Sequence, residues 1–201
     1  MTLNSTKQIR ESVAHICKKY GDTYWRALDK EKKYPSEFVK EMTDSGFLNV
    51  LIPEEFGGSG LGLIDACAVL EEISLNGAHA GACHAQMYVM GSVLRHGTKE
   101  QKEKFLPKIS AGKLRLQSFA VTEPNSGTDT TNIKTFARKT NSGWKVNGQK
   151  VWISRVEHSD LMLLLARTIP KEKVKKKTDG ISAFLINIHD AKNTGLTISP
   201  I

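Results

Sequence analysis

The segment Phe119-Ala-Val-Thr-Glu-Pro-Asn-Ser-Gly-Thr-Asp129 gathers hydroxyl, amide and glycine residues directly after a stretch with strand character. A loop of that composition can bring backbone N–H groups and side-chain donors up to an anion or to the polar edge of a ring. A second segment, Asn147-Gly-Gln-Lys-Val-Trp-Ile-Ser154, follows a hairpin dipeptide with a large aromatic and, two residues on, a hydroxyl. Read as a strand, it sends Trp152 and Ser154 to the same side, which suits a flat wall beside a hydrogen bond to a planar cofactor. Each segment alone has a plainer reading: a decorated turn for the first, and a core tryptophan with an exposed serine neighbour for the second. Their pairing is what argues for a site.

Other residues with chemical potential read as structural. Glycines 57, 58, 60 and 62 begin like a dinucleotide loop, but Leu63 stands at the third glycine position and a proline-containing stretch precedes them. A turn between helices accounts for them. His79 and His84 are five residues apart, on different helix faces, without an accompanying carboxylate cluster, so no metal site is expected. No G-x-S-x-G elbow occurs, so a hydrolase nucleophile is not visible. Cys17, Cys67 and Cys83 form no C-x-x-C pair and suggest reduced, mostly buried thiols.

These segments are positioned by a chain that changes period near residue 114. Before it, apolar residues recur at helical spacing, predicting helices over 6–19, 22–33 and from Ser36 to about 46. Leu63, Ile64, Cys67, Leu70 and Ile73 are expected to form one buried stripe. Thr98-Lys-Glu-Gln101 is a capping box whose helix is expected to end under Pro107 and Gly112. After residue 114 the alternation predicts strands at about 116–122, 132–140, 143–147, 150–154, 161–168 and 181–187. Asn141-Ser-Gly143 and Asn147-Gly148 should fold three of them into a meander. The expected class is α+β: an all-α domain over residues 1–114, then an incomplete antiparallel β-barrel-like domain over 115–201.

Composition narrows the function classes. With 39% hydrophobic and 25% charged residues, the 201-residue chain is an ordinary globular protein rather than a disordered or collagenous one. Net charge is +8, and residues 115–201 carry 14 basic residues against 7 acidic ones. Part of that excess is the run Lys171–Lys177, which reads as a solvated loop because no aromatics are interleaved to stack on bases. No nucleic-acid partner is expected. There is no signal-peptide pattern and no apolar run of membrane-spanning length, so a cytoplasmic protein without a membrane partner is expected.

With these landmarks placed, the chain resembles the acyl-CoA dehydrogenase family along nearly its whole length. The ordered matches are Leu51–Gly62, Leu70-Glu-Glu-Ile73, Gly97–Lys102, Phe105-Leu-Pro107, Val121-Thr-Glu-Pro124 with Gly127-Thr-Asp129, Asn147–Ser154 and Gly180–Phe184. The resemblance implies a helical N-terminal domain, a middle β domain and FAD as cofactor. It implies that Phe119, Ala120, Val121, Thr122, Glu123, Pro124, Asn125, Ser126, Gly127 and Thr128 line the flavin. Thr122 would lie on the pyrimidine side of the ring, and Thr128 by a phosphate of FAD or of the acyl-CoA substrate. Trp152, Ile153 and Ser154 would cover the ring, with the Ser154 hydroxyl near N5. Thr128 replaces the commoner serine and Ser154 the commoner threonine. Arg155-Val156 stands where many members have Asn-Gly, so the turn there is expected to differ.

The family reaction takes a proton alpha to a thioester carbonyl and a hydride from the beta carbon, leaving a trans-2-enoyl-CoA, as in fatty-acid β-oxidation. By resemblance, the electron acceptor is an electron-transfer flavoprotein or similar, and the assembly is a homo-oligomer or includes a complementing subunit. The chain stops at Ile201 within the β domain, ahead of the bundle that carries the glutamate base in most members, so it is expected to be incomplete and inactive alone. No catalytic residue is assigned, since Glu123 and Glu157 both read as structural. A flavin-dependent oxidase or monooxygenase of the same fold and a non-catalytic or split subunit remain the alternatives.

Overall fold

A computed structural model describes residues 3–201, with side chains from Thr6 onward. The chain divides into two compact units, Met1–Leu116 and Gln117–Ile201.

The first unit is helical: α1 (Leu3–Cys17), α2 (Asp22–Glu31), α3 (Ser36–Asp44), α4 (Leu63–Leu75), α5 (Gly81–His96) and α6 (Lys99–Ser110). Its core joins Val13, Phe38, Val39, Met42, Val69, Ile73 and Met87. Phe38 is fully buried and meets Tyr20 and Trp25 edge-on at centroid distances of 5.3 and 5.1 Å, the favoured geometry for aromatic pairs.

Two sequence expectations for this unit are corrected. On α4 the buried residues are Asp65, Ala66, Ala68, Val69 and Ile73, whereas Leu63 and Ile64 are 70% and 78% exposed and Cys67 is exposed too. Both faces of α4 are apolar, so periodicity alone does not decide which turns inward. Pro107 does not end α6, which runs on to Ser110. Burial of Leu106 and Ile109 carries the helix past the lost hydrogen bond, and left-handed Gly112 (φ 67°) closes it, with Lys113 N–H donating to Lys108 O. The glycine-rich segment is a turn between two helices, as expected. The Gly58 and Gly60 amides donate to Pro53 O and Ile52 O, and a Cβ on Gly58 would sit 2.0 Å from Ile52 O.

The second unit holds β1 (Leu116–Ala120, beginning at the last residue of the first unit), β2 (Phe136–Thr140), β3 (Gly143–Asn147), β4 (Leu161–Arg167), β5 (Ile181–Asn187) and the short α7 (Ile188–Lys192). The sheet order is β1-β4-β2-β3, with β5 antiparallel to β4 along its full length. The sheet is mixed and not closed: β2 meets β4 in parallel, at Phe136 opposite Arg167. The β2–β3 hairpin forms as its Asn141-Ser-Gly143 connector predicts. The third meander strand at 150–154 does not form. At Gly148 the backbone lies so close to Thr135 that a Cβ would approach its Cα to 2.7 Å, and the chain runs on along β1's extension, where Val151 N–H donates to Thr122 O at 2.9 Å.

A buried ion pair fastens this region. Lys150 Nζ lies 2.9 Å from Glu123 Oε1, the two side chains being 9% and 6% exposed, and donates also to Val121 O at 2.8 Å. Glu123 accepts the Lys134 and Thr135 N–H groups at 2.6 and 2.9 Å. Burial opposes the Glu123 charge, but the neighbouring Thr135 hydroxyl, those two N–H groups and the Lys150 ammonium outweigh it and bring the carboxyl down to about 2. Burial draws the Lys150 ammonium below its ordinary range against the pull of Glu123.

Phe38→Ala is expected to lower the unfolding free energy by about 3–5 kcal/mol, read from urea denaturation. A second expectation concerns acid. The folded Glu123 value lies below its unfolded one, so its contribution is complete above about pH 5 and is lost as pH falls toward 2. The stability difference between wild type and Glu123→Gln should shrink by on the order of 3 kcal/mol across that window. A difference that stays constant with pH contradicts this account.

Candidate functional site

The two segments singled out from the sequence meet within the second unit. Val151 N–H donates to Thr122 O, and Lys150 Nζ to Val121 O, so residues 150–151 run beside 121–122. The first segment leaves β1 with Ala120 fully buried and Phe119, Val121 and Thr122 half-buried. It then folds on itself. Glu123 and Ser126 exchange both backbone hydrogen bonds, at 2.9 and 3.1 Å, leaving Pro124 and Asn125 exposed at the corner. Proline presets the backbone angle at the second position of such a turn, and asparagine tolerates the third.

Beyond the turn, Ser126 is buried and its hydroxyl donates to Asp129 O at 2.6 Å, while Gly127 and Thr128 are exposed. Their N–H groups have no acceptor among the described residues, and a Cβ on Gly127 would meet nothing within 4 Å. Asp129 anchors the far end by accepting from the Thr131 hydroxyl and the Asn132 amide. The Thr131 hydroxyl, with Lys171 and Lys177, draws its carboxyl below the usual range, against a smaller opposing effect of desolvation. The outcome is a bend with a donor-bearing rim at 127–128.

The second segment is a turn rather than a strand. Trp152 has φ 61° and Ser154 N–H donates to Trp152 O at 3.1 Å. Ile153 packs against the core of Ala120, Met162, Leu164 and Ile188, which directs it inward. Trp152, at 69% exposure, and Ser154 are both exposed, on a backbone that is not the expected strand. Arg155 follows in the left-handed region (φ 61°, ψ 18°), a conformation that asparagine or glycine adopts at lower cost. It stands where many members of the resembled family have asparagine.

Of the residues expected at the site, the exposed surface is made by Pro124, Asn125, Gly127, Thr128, Trp152 and Ser154. Phe119, Val121, Thr122 and Ile153 lie half-buried behind it, and Ala120, Glu123 and Ser126 are interior. Lys150 carries no assigned role in the sequence reading, yet from within the second segment it binds the first. Its partner Glu123 is 27 positions away, and no spacing in the chain marks the pair. Of the two carboxylates read as structural, Glu123 is held ionised in its ion pair, and Glu157 is exposed on a short 3-10 turn over 156–158.

The acyl-CoA dehydrogenase N-terminal domain profile matches residues 4–113, and the acyl-CoA dehydrogenase middle domain profile matches residues 118–201. The acyl-CoA dehydrogenase FadE12 of Mycobacterium tuberculosis is 36% identical over 163 residues, which are 80% of this chain and 41% of that protein. A crystal structure of an acyl-CoA dehydrogenase from Geobacillus kaustophilus superposes with a TM-score of 0.85 at 29% identity, covering 93% of this chain and 49% of that one. An FAD complex of PigA superposes with a TM-score of 0.81 at 27% identity, covering 93% and 49%. The chain thus spans less than half the length of these relatives, and from its two matched domains it belongs to the acyl-CoA dehydrogenase family.

Proposed function

We propose that the chain supplies the flavin-facing surface of an FAD-dependent oxidoreductase that takes a proton and a hydride from adjacent carbons of an acyl-CoA thioester, giving a trans-2-enoyl-CoA. The observation that carries this reading is a large indole, 69% exposed and held outward by a left-handed backbone, two residues from an exposed hydroxyl, on a stretch bonded to the segment that carries the unpaired N–H donors of 127–128. An exposed tryptophan in a strained conformation is unfavourable for an isolated surface and suits one that stacks on a flat ring. The residues present therefore fit the isoalloxazine and the phosphates of FAD. When bound, FAD supplies the two-electron acceptor that no side chain can provide.

In this reading Trp152 covers the ring and excludes water from it. The Ser154 hydroxyl, donor and acceptor at once, bonds the ring's redox edge. Thr122 borders its pyrimidine side from the half-buried layer. Gly127 and Thr128 direct N–H groups, and Thr128 its hydroxyl, toward a phosphate of FAD or of the acyl-CoA. Phe119, Ala120, Val121 and Ile153 back this surface, and the Glu123–Ser126 turn shapes it. The alpha-proton base comes from outside these 201 residues, so the chain binds and orients but does not turn over alone. An electron-transfer flavoprotein as acceptor, a second copy or complementing subunit, and a place in the cytoplasm belong to the same reading. Among the described residues no helix is long and apolar enough to cross a membrane.

Titration with FAD, followed by flavin fluorescence and visible absorption, tests the assignment. Wild type is expected to quench and take up flavin, Trp152→Ala to bind at least about tenfold more weakly, and Ser154→Ala to keep binding while shifting the visible bands. Wild-type protein that takes up no flavin, with or without acyl-CoA, overturns the reading.

A further inference from the structure

The surface assigned to FAD is built from two segments far apart in the chain, and neither belongs to a strand of the sheet: 121–128 lies past the end of β1, and 150–154 past the end of β3. What joins them is a small set of bonds. Val151 N–H reaches Thr122 O at 2.9 Å, and the Lys150 ammonium reaches Val121 O at 2.8 Å and Glu123 Oε1 at 2.9 Å. One cation thus binds the residues on both sides of Thr122. Glu123 is in turn fixed by the N–H groups of Lys134 and Thr135, where the chain enters β2.

A buried ion pair is weak evidence for stability, because desolvating two charges offsets most of their attraction and apolar residues of similar size often serve as well. Most ammonium groups stay in water; this one, 9% exposed, has a carbonyl and a carboxylate as acceptors. Its location at the joint of the two segments therefore calls for a role in geometry.

We propose that Lys150 is a positioning residue for the flavin-facing surface: by bonding on both sides of Thr122 it sets the separation between the 122–128 bend and the Trp152–Ser154 turn, and Glu123 holds it there. The assignment rests on the reading that these two segments face FAD. Lys150 transfers no proton and does not itself contact the ring.

Three variants separate geometry from stability: Lys150→Met, Glu123→Gln and the two combined. Each is read by thermal unfolding, by amide exchange of Val151 in flavin-free protein, and by FAD affinity. The single variants leave one buried charge unpaired and are expected to melt earlier, while the double variant removes both charges and recovers the wild-type melting temperature in large part. The proposal expects Val151 exchange to stay accelerated about tenfold or more in that recovered double variant, and FAD to bind about tenfold more weakly with displaced absorption bands. A double variant whose Val151 protection and FAD affinity return along with its melting temperature shows a merely stabilising pair and overturns the proposal. If the double variant does not fold, Lys150→Arg decides. It keeps the cation but not its point geometry, so the proposal expects altered Val151 exchange in a folded protein, and unaltered exchange overturns it. Wild type without FAD uptake would defeat the flavin reading only, since Val151 exchange judges the clasp without cofactor.

Discussion

An ammonium and a carboxylate taken out of water each lose several kcal/mol of hydration, and their attraction compensates only where the remaining hydrogen-bonding capacity is also filled. Lys150 and Glu123 find their further partners in backbone. The ammonium bonds the carbonyl of Val121, and the two carboxylate oxygens take the amides of Lys134 and Thr135. Three stretches of chain, at 121–123, 134–135 and 150–151, are thereby tied at one point in the second unit. The open sheet does not provide this tie, because among the described residues β2 pairs with β4 in register at Phe136 and Arg167 and β3 pairs with β2 alone.

With those stretches fixed, the backbone can hold conformations that a free loop would abandon. Trp152 and Arg155 both sit in the left-handed region, at a cost of roughly 1–2 kcal/mol each for residues of this kind. Ile153 between them is anchored in the core of Ala120, Met162, Leu164 and Ile188, so the turn has an apolar pin as well as an ionic one. Strain at Trp152 displays an indole that hydrophobicity alone would turn inward. Strain of this kind persists where the surroundings over-determine it, and it tends to collect at functional surfaces.

Much of this was legible in residue types and spacing, and the remainder failed for identifiable reasons. The change of period near 114, the hairpin at Asn141–Gly143, the capping box at Thr98 and strands β4 and β5 follow from local pattern, because each depends on residues a few positions apart. Local pattern also drew a strand at 150–154. There alternation of Val151 and Ile153 with Trp152 and Ser154 was real in burial but not in backbone, since Gly148 at Thr135 ends the meander. The inward face of α4 was misread because Leu63, Ile64 and Cys67 are as apolar as Ala66, Val69 and Ile73, and only packing chooses between them. Lys150 was invisible for the opposite reason: a lysine in an alternating stretch reads as solvent-facing, and nothing near it names a partner 27 residues away.

The same clasp limits what chemistry the second unit can do. A base for an alpha proton works best with a pKa near the working pH. Glu123, against the opposing effect of its burial, is brought down to about 2 by the neighbouring Thr135 hydroxyl, the Lys134 and Thr135 amides and the Lys150 ammonium, so it stays ionised but binds a proton too weakly for that task. Freeing it to act as a base would require removing Lys150 or the Lys134 and Thr135 amides, which would release the bend and the turn together. Geometry and basicity therefore compete for one carboxylate, and here it is committed to geometry. In the proposed reading the second unit orients a flat, anionic cofactor, and proton transfer falls to a group that these bonds do not hold.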